Sequence, residues 1–356
     1  MNRKLFSPVE LGRLNLKNRV VMAPMTRSRA DADDCANDLM AEYYRQRASA
    51  GLIITEGTQP SANGKGYLRT SGIYNQAQVD SWKKVTEAVH AEGGQIVMQI
   101  MHCGRIGHPH NKAPGTDTIA PSAIKAEGEI FTEKGMLPFS MPRALVTEEI
   151  PGIIEEYRLA TKNAFAAGFD GVELHCTSGY LPAQFLSTGT NQRDDQYGGS
   201  VENRVRFVLE TLEAMTSVDG ADRVGLRICP GNPFNDLHDD NPKETFEHLL
   251  ERIRAMGLAY LHAITSPDIN VVTLAKDFFK GPLIINQGFT QETAEEVLQS
   301  GRAEAVSFGA PFIANPDLVE RFRYGLELAT ACRNNLYTGG ATGYTDYPAT
   351  SQEKAG

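Results

Sequence analysis

Short apolar runs recur along the whole chain, and each is too short to form a helix of ordinary length. Most are apolar on both faces and rich in β-branched residues, as parallel strands covered on two sides should be. Eight such runs predict eight strands, at residues 19–23, 52–56, 95–101, 171–175, 223–229, 260–264, 282–286 and 305–308.

Amphipathic stretches with helix start and stop signals lie between most of these runs. Clear examples begin at a capping residue and end at glycine, at residues 147–168, 241–257 and 290–301. Strand and helix therefore alternate eight times along the 356 residues. This favours an α/β fold of the closed (β/α)8 or TIM-barrel type over an open doubly wound sheet, which usually carries a G-x-G-x-x-G turn after its first strand.

Three segments lie outside the repeat of this single predicted domain, residues 1–356. Residues 1–17 precede the first barrel strand, and residues 6–12 predict a short hairpin that closes the barrel bottom. Residues 102–146 form a long, proline- and glycine-rich connection after the third strand, which we interpret as an excursion over the top rim. Residues 335–356 form a C-terminal tail.

Charge and cysteine content narrow the classes of partner. The net charge of -9 gives no broad basic surface for nucleic acid or anionic lipid, so a small-molecule partner is expected. No run approaches the ~18 apolar residues of a membrane helix, and no export signal is apparent. The five cysteines form no metal-binding or paired pattern. We therefore expect reduced thiols in a cytoplasmic protein, monomeric or homodimeric.

The end of the fourth predicted strand concentrates reactive side chains. His175 ends the strand, Ser178 follows three residues later, and Tyr180 two residues after that. In a barrel of this kind, chemistry takes place at the carboxyl ends of the strands. Tyr180 taken alone could equally be a packed aromatic. Other polar or small residues also fall at strand ends, namely Thr26, Glu56, Gly57, Gln99, Arg227, Gly288 and Gly309.

The order of several motifs along the chain resembles the old yellow enzyme family of FMN-dependent ene-reductases. The resemblance covers residues 18–27, 40–48, 51–56, 171–181, 195–204, 313–318 and 343–348. It implies a non-covalently and tightly bound FMN, NAD(P)H as co-substrate, and activated alkenes such as α,β-unsaturated carbonyl compounds, maleimides or nitroalkenes as the other substrates.

The resemblance also implies which residues bind the flavin. Gln99 would meet the pyrimidine edge, Arg227 would supply positive charge, and the Thr26 hydroxyl would bond the carbonyl beside the hydride-carrying nitrogen. Taken alone, Gln99 could be a satisfied core amide and Arg227 a salt-bridge partner. The complete predicted set is Ala23, Pro24, Met25, Thr26, Gly57, Gln99, His175, Arg227, Gln287, Gly288, Gly309 and Ala310.

Two departures from the family pattern bear on binding and rate. Many members carry arginine where this chain has Ala310, so one charge-assisted bond to the flavin phosphate would be missing. The second donor to the substrate oxygen, asparagine or histidine in relatives, is Ser178 here. We therefore expect weaker FMN retention than in typical relatives, and expect His175 to carry most of the polarisation of the substrate.

On the substrate side, the resemblance makes His175 and Ser178 the donors and Tyr180 the proton donor, with Tyr67, Met101 and Tyr344 facing the substrate. The histidines at 102, 108 and 110 match no common metal spacing, so no metal is expected. Two alternatives stay open: a flavin-dependent reductase of nitro compounds or nitrate esters, and a flavin- or aromatic-binding protein with low turnover.

Overall fold

The computed structural model describes residues 3–350 and contains a closed barrel of eight parallel strands. The strands succeed one another around the barrel in chain order, β3-β4-β5-β10-β11-β12-β13-β14. All strands of the described chain, in order, are β1 Val9–Leu11, β2 Leu14–Leu16, β3 Val20–Met22, β4 Leu52–Ile54, β5 Ile96–Ile100, β6 Ile119–Ala120, β7 Glu129–Thr132, β8 Gly135–Pro138, β9 Arg143–Ala144, β10 Gly171–Cys176, β11 Val224–Ile228, β12 Tyr260–Ile264, β13 Leu283–Asn286 and β14 Ala305–Phe308.

All eight predicted barrel strands are confirmed, with ends that differ by at most two residues. Nearly every residue in these strands is buried, because the barrel interior covers one face and the helices cover the other. The helices are α1 Asp38–Arg45, α2 Gln76–Ala91, α3 Ile150–Ala166, α4 Leu181–Leu186, α5 Val201–Asp219, α6 Pro242–Ile253, α7 Val271–Leu274, α8 Gln291–Gln299, α9 Ala310–Ala314 and α10 Leu318–Tyr324.

Two of the three predicted caps are confirmed, whereas Thr147 lies in a short 3-10 turn, Thr147–Glu149, and does not cap α3. The side chain of Asn241 accepts a hydrogen bond from the backbone N–H of Glu244 at the start of α6. Thr290 accepts one from Thr293 at the start of α8. Each bond satisfies a backbone donor that the first turn of a helix leaves unpaired. Among residues 3–350, no helix combines the length and apolarity needed to cross a membrane.

The predicted N-terminal hairpin is present, but it is formed by β1 and β2 over residues 9–16 rather than over the predicted residues 6–12; the two strands pair antiparallel. Leu11, Leu14 and Leu16 are buried and share a cluster with residues of the barrel interior, among them Val21 and Tyr260. Tyr260 is the first residue of β12, so this cluster lies at the end of the barrel where the strands begin. The hairpin therefore closes the bottom of the barrel and leaves the opposite end, where the strands finish, open for a site.

The excursion after β5 contains the antiparallel pair β7 and β8 and the short parallel pair β6 and β9. Its buried residues Ile106, Ile130 and Phe139 form a cluster with Met101 and Tyr180. The excursion thus lies over the rim, and packs directly against the strand ends that carry the predicted reactive residues.

The C-terminal segment corrects one prediction. Tyr344 is fully buried, and its ring stacks on Tyr43 with 4.0 Å between the ring centroids. The guanidinium of Arg29 lies over the same ring at 4.7 Å, and Arg27 donates to the carbonyl of Gly343 at 2.7 Å. The prediction that Tyr344 faces substrate is therefore wrong, because the ring anchors the tail to the barrel. The last six predicted tail residues, 351–356, lie outside the described residues.

Candidate functional site

Two adjoining cavities open at the carboxyl ends of the barrel strands. The His175 cavity, about 150 Å³, is lined by Pro24, Thr26, Gly57, Gln99, Met101, His175, Ser178, Tyr180, Arg227 and Phe234. The Gly309 cavity, about 310 Å³, is lined by Ala23, Pro24, Arg227, Asn286, Gln287, Gly288, Phe289, Ser307, Phe308, Gly309, Ala310 and Pro311. Pro24 and Arg227 line both cavities, so the two form one continuous region.

The structure gathers most of the predicted site residues around these cavities. Met25 borders them, since its thioether comes within 3.5 Å of the position a Cβ would take on Gly309. Tyr67 reaches the site indirectly, because its hydroxyl lies 3.1 Å from that of Tyr180. A Cβ on Gly57 would meet the Met101 sulfur at 2.5 Å, so a larger residue here would force the Met101 side chain to move.

His175 is buried at the wall of its cavity and has a free hydrogen-bonding atom. Its Nδ1 has no partner among the described residues. Burial, and then the positive charge of Arg227, lower the pKa of His175 to about 3. The imidazole is therefore neutral at physiological pH, and carries one N–H group and one lone pair.

Tyr180 stands beside this imidazole. The centroids of the two rings are 5.0 Å apart, and the rings are tilted by 51°. Burial raises the pKa of the Tyr180 phenol well above its usual value, and it also raises the pKa of the Tyr67 phenol. Both phenols therefore keep their protons, and the hydrogen bond between them joins two neutral groups.

Ser178 occupies an unusual backbone conformation on the turn between His175 and Tyr180. Its φ is 57°, a left-handed value that few residues other than glycine and asparagine adopt readily. The amide of Asn235 holds this turn by donating to the Ser178 carbonyl at 2.8 Å. The loop after β11 thus fixes the turn after β10.

Beneath the His175 cavity lies a buried polar chain. Gln99 Nε2 donates to Glu173 Oε1 at 2.7 Å, and His262 Nδ1 lies 2.8 Å from Glu173 Oε2. Ser307 Oγ lies 2.7 Å from His262 Nε2. Arg227 Nη2 donates to the side-chain oxygen of Asn286 at 3.0 Å. Gln99 and Arg227 therefore enter the cavity from a network that holds both in place.

Residues near the His175 cavity that sequence reasoning did not identify include Glu173, Phe234, Asn235 and His262. Glu173 and His262 are charged or polar residues inside apolar strands, which is a usable signal, because such groups need partners when buried. Phe234 and Asn235 belong to a loop whose course over the strand end is not encoded in any local pattern.

Glu56, next to Gly57, is buried, and its Oε2 has no partner among the described residues. Burial raises its pKa from 4.5 to about 7, against the opposing influence of Arg27. An acid whose pKa is raised on folding contributes stability that is complete below pH 4.5 and is lost as the pH rises through 7.

We therefore expect Glu56→Gln to reduce the loss of stability between pH 5 and pH 8 by roughly 2 kcal/mol, since glutamine does not titrate. Melting temperatures at the two pH values measure this difference. Glu129→Gln, on the exposed surface, is the control and should retain the wild-type pH dependence. Equal pH dependence in Glu56→Gln and wild type would contradict the assignment.

Comparison with known proteins finds relatives over almost the whole length of this chain. Residues 4–329 match the model of a family described as the NADH:flavin oxidoreductase / NADH oxidase family. The chain is 42% identical to 12-oxophytodienoate reductase 7 of Oryza sativa subsp. japonica, over 99% of this chain and 96% of the relative. It is 41% identical to a probable flavin mononucleotide-dependent alkene reductase of Leishmania infantum, over 97% of each chain.

Solved structures of related proteins are similar to this chain over nearly its full length. A morphinone reductase in complex with tetrahydroNAD is 48% identical to this chain and superposes with a TM-score of 0.93, with 98% of each chain covered. An old yellow enzyme homologue from Zymomonas mobilis is 39% identical, with a TM-score of 0.94, 97% of this chain and 99% of that chain covered.

Proposed function

The chain belongs to the NADH:flavin oxidoreductase / NADH oxidase family, the old yellow enzyme family, and from this premise we propose that it reduces activated alkenes. It is a flavin-dependent oxidoreductase that uses FMN and a nicotinamide co-substrate. The observation that carries the alkene proposal is the unpartnered Nδ1 of a neutral His175 beside the protonated phenol of Tyr180, at the wall of one cavity.

The residues around the two cavities fit FMN. Gln99 offers an amide and Arg227 a positive charge at the His175 cavity, while the Gly309 cavity is lined by the loops after β13 and β14, where barrels of this type commonly bind phosphate. Bound there, FMN would supply the hydride chemistry that connects NAD(P)H with the β-carbon of the alkene.

His175 polarises the substrate in this proposal. As hydride reaches the β-carbon, negative charge develops on the carbonyl oxygen, and an N–H group aimed at that oxygen lowers the barrier. A neutral imidazole suits this role, because it donates without transferring its proton. The Ser178 hydroxyl has a shorter reach than an amide, so it contributes as a partial or water-mediated donor.

Tyr180 completes the reaction by giving its proton to the α-carbon while the carbonyl double bond re-forms. The hydride and this proton together saturate the carbon–carbon double bond. The resulting phenolate recovers a proton from water. Tyr67, hydrogen-bonded to Tyr180, stabilises the phenolate while it exists.

Anaerobic stopped-flow spectroscopy tests the proposal. NADPH or NADH should bleach the bound FMN, and 2-cyclohexenone should then restore its absorbance. Cyclohexanone is the matched control, because it has the carbonyl group but no double bond to reduce. Bleaching without reoxidation by the enone would overturn the proposed function while leaving the flavin assignment intact.

Ala310 gives a prediction about FMN affinity. Among residues 3–350, Arg227 is the only basic residue that lines the Gly309 cavity, and Ala310 is exposed at its rim, so an added arginine has room. We expect Ala310→Arg to lower the FMN dissociation constant about tenfold or more, the usual effect of a charge-assisted bond to phosphate. Fluorescence titration of the apoprotein measures it, with Ala310→Gln as the neutral control. Unchanged affinity would count against the phosphate position.

A further inference from the structure

The buried carboxylate of Glu173 has both of its oxygens engaged by residues of the barrel interior. Oε1 accepts from Gln99 Nε2 at 2.7 Å, and Oε2 accepts from His262 at 2.8 Å. The Glu173 side chain is fully buried and lines neither cavity. It is therefore placed to act on a bound molecule only through its neighbours.

The contact with Glu173 decides which way the Gln99 amide points. A carboxylate can only accept hydrogen bonds, so the nitrogen of Gln99 must face Glu173. Its oxygen then remains for a donor in the His175 cavity, and within residues 3–350 no group donates to it. A neutral amide in place of the Glu173 carboxylate could both accept and donate hydrogen bonds, so it would allow either orientation of the Gln99 amide.

Glu173 is also the carboxylate that balances Arg227. Arg227 Nη1 lies 3.1 Å from Nδ1 and 2.9 Å from Nε2 of His262, a position over the face of the ring. Burial, followed by the charge of Arg227, lowers the pKa of His262 to about 4, so the imidazole is neutral. Although burial opposes ionisation of Glu173, the neighbouring groups lower its pKa, and it stays charged. The cation beside the cavity therefore has a buried counter-ion.

We propose that Glu173 is a positioning residue for the flavin, which orients the Gln99 amide toward the ring and offsets part of the positive charge of Arg227. The proposal rests on the proposed function only in that FMN occupies the His175 cavity. Two effects follow. Loss of the carboxylate leaves Gln99 unoriented, which weakens FMN binding. It also leaves Arg227 unbalanced, which favours the negative charge that two-electron reduction adds to the ring.

The test is Glu173→Gln, which keeps size and removes charge. We expect the FMN dissociation constant of the apoprotein to rise about tenfold, as for loss of a hydrogen bond to a charged group. We also expect the midpoint potential of the bound FMN, measured by anaerobic reductive titration against a reference dye, to become more positive. A residue needed only for folding would not shift the potential of the folded, flavin-loaded protein in this direction.

Glu304→Gln is the matched control, because it removes a carboxylate that accepts from the backbone N–H of Leu283 at the opposite end of the barrel and lines neither cavity. It should leave the potential close to wild type. Combining Glu173→Gln with Gln99→Leu should weaken FMN binding little more than Gln99→Leu alone. Additive losses would contradict the action through Gln99.

If Glu173→Gln does not fold, Glu173→Asp decides the question. Its carboxylate keeps the charge but is one methylene shorter, so it cannot span both Gln99 and His262. We then expect weaker FMN binding with a nearly unchanged potential. Wild-type affinity and potential in the folded variant would overturn the proposal. A wild-type protein that binds FMN but is not reoxidised by enones would overturn only the proposed alkene activity.

Discussion

Replacing His175 with alanine is expected to slow reoxidation of the reduced enzyme by 2-cyclohexenone by about 100-fold to 1,000-fold, the range found when a fully engaged oxyanion donor is removed. The effect should be at the upper end, because Ser178 offers only a short hydroxyl as the second donor. Stopped-flow reoxidation at a saturating enone concentration measures the rate. His110→Ala, at an exposed loop histidine, is the control.

The pH dependence of reoxidation provides a second check on His175. Since its pKa is about 3, the imidazole is neutral throughout pH 5 to 8, and its protonation state does not change there. Any inflection in the pH profile of the wild-type rate over this interval should therefore also be present in His175→Ala. A loss of less than about fivefold in the variant would mean that the substrate oxygen is held elsewhere.

Replacing Tyr180 with phenylalanine is expected to lower enone turnover by about 100-fold or more, because a positioned proton donor typically contributes 10²–10⁴-fold. Phenylalanine keeps the ring that packs against His175 and Met101, so the loss reports the hydroxyl rather than the packing. Turnover is measured by NADPH oxidation, in H2O and D2O. In the variant, water replaces Tyr180 as the proton source, so the solvent isotope effect on turnover should differ from that of the wild type.

Tyr67→Phe separates the two phenols that share a hydrogen bond. Tyr67 does not line the His175 cavity, but its hydroxyl contacts the hydroxyl of Tyr180, which does. Its loss should lower turnover much less than loss of the Tyr180 hydroxyl. The reverse order would assign the proton donor to Tyr67.

The barrel could be predicted because each strand shows its hydrophobic pattern within a few consecutive residues. The run Leu52-Ile53-Ile54 is apolar on both faces, and this pattern distinguishes a strand covered on two sides from a surface strand. The helix starts at Asn241 and Thr290 could likewise be predicted, because a capping side chain bonds a backbone group only three residues away.

Tyr344 shows where sequence reasoning fails. An aromatic residue in a tail motif can face a ligand or anchor the tail, and both outcomes use the same side chain. The difference lies in Tyr43 and Arg29, which are about three hundred residues away along the chain and reach Tyr344 only when the barrel has closed. No local pattern could have distinguished the two.

The sequence by itself determined the eight strands, the rim excursion and the collection of His175, Ser178 and Tyr180 at one strand end, because these depend on periodicity and short-range spacing. Only the tertiary structure decided which partners those residues have. The bond between Glu173 and His262 joins residues 89 positions apart, and Asn235 reaches the Ser178 turn across 57. Such contacts arise from the closure of the sheet, which brings distant strand ends to one rim and buries their polar groups against each other.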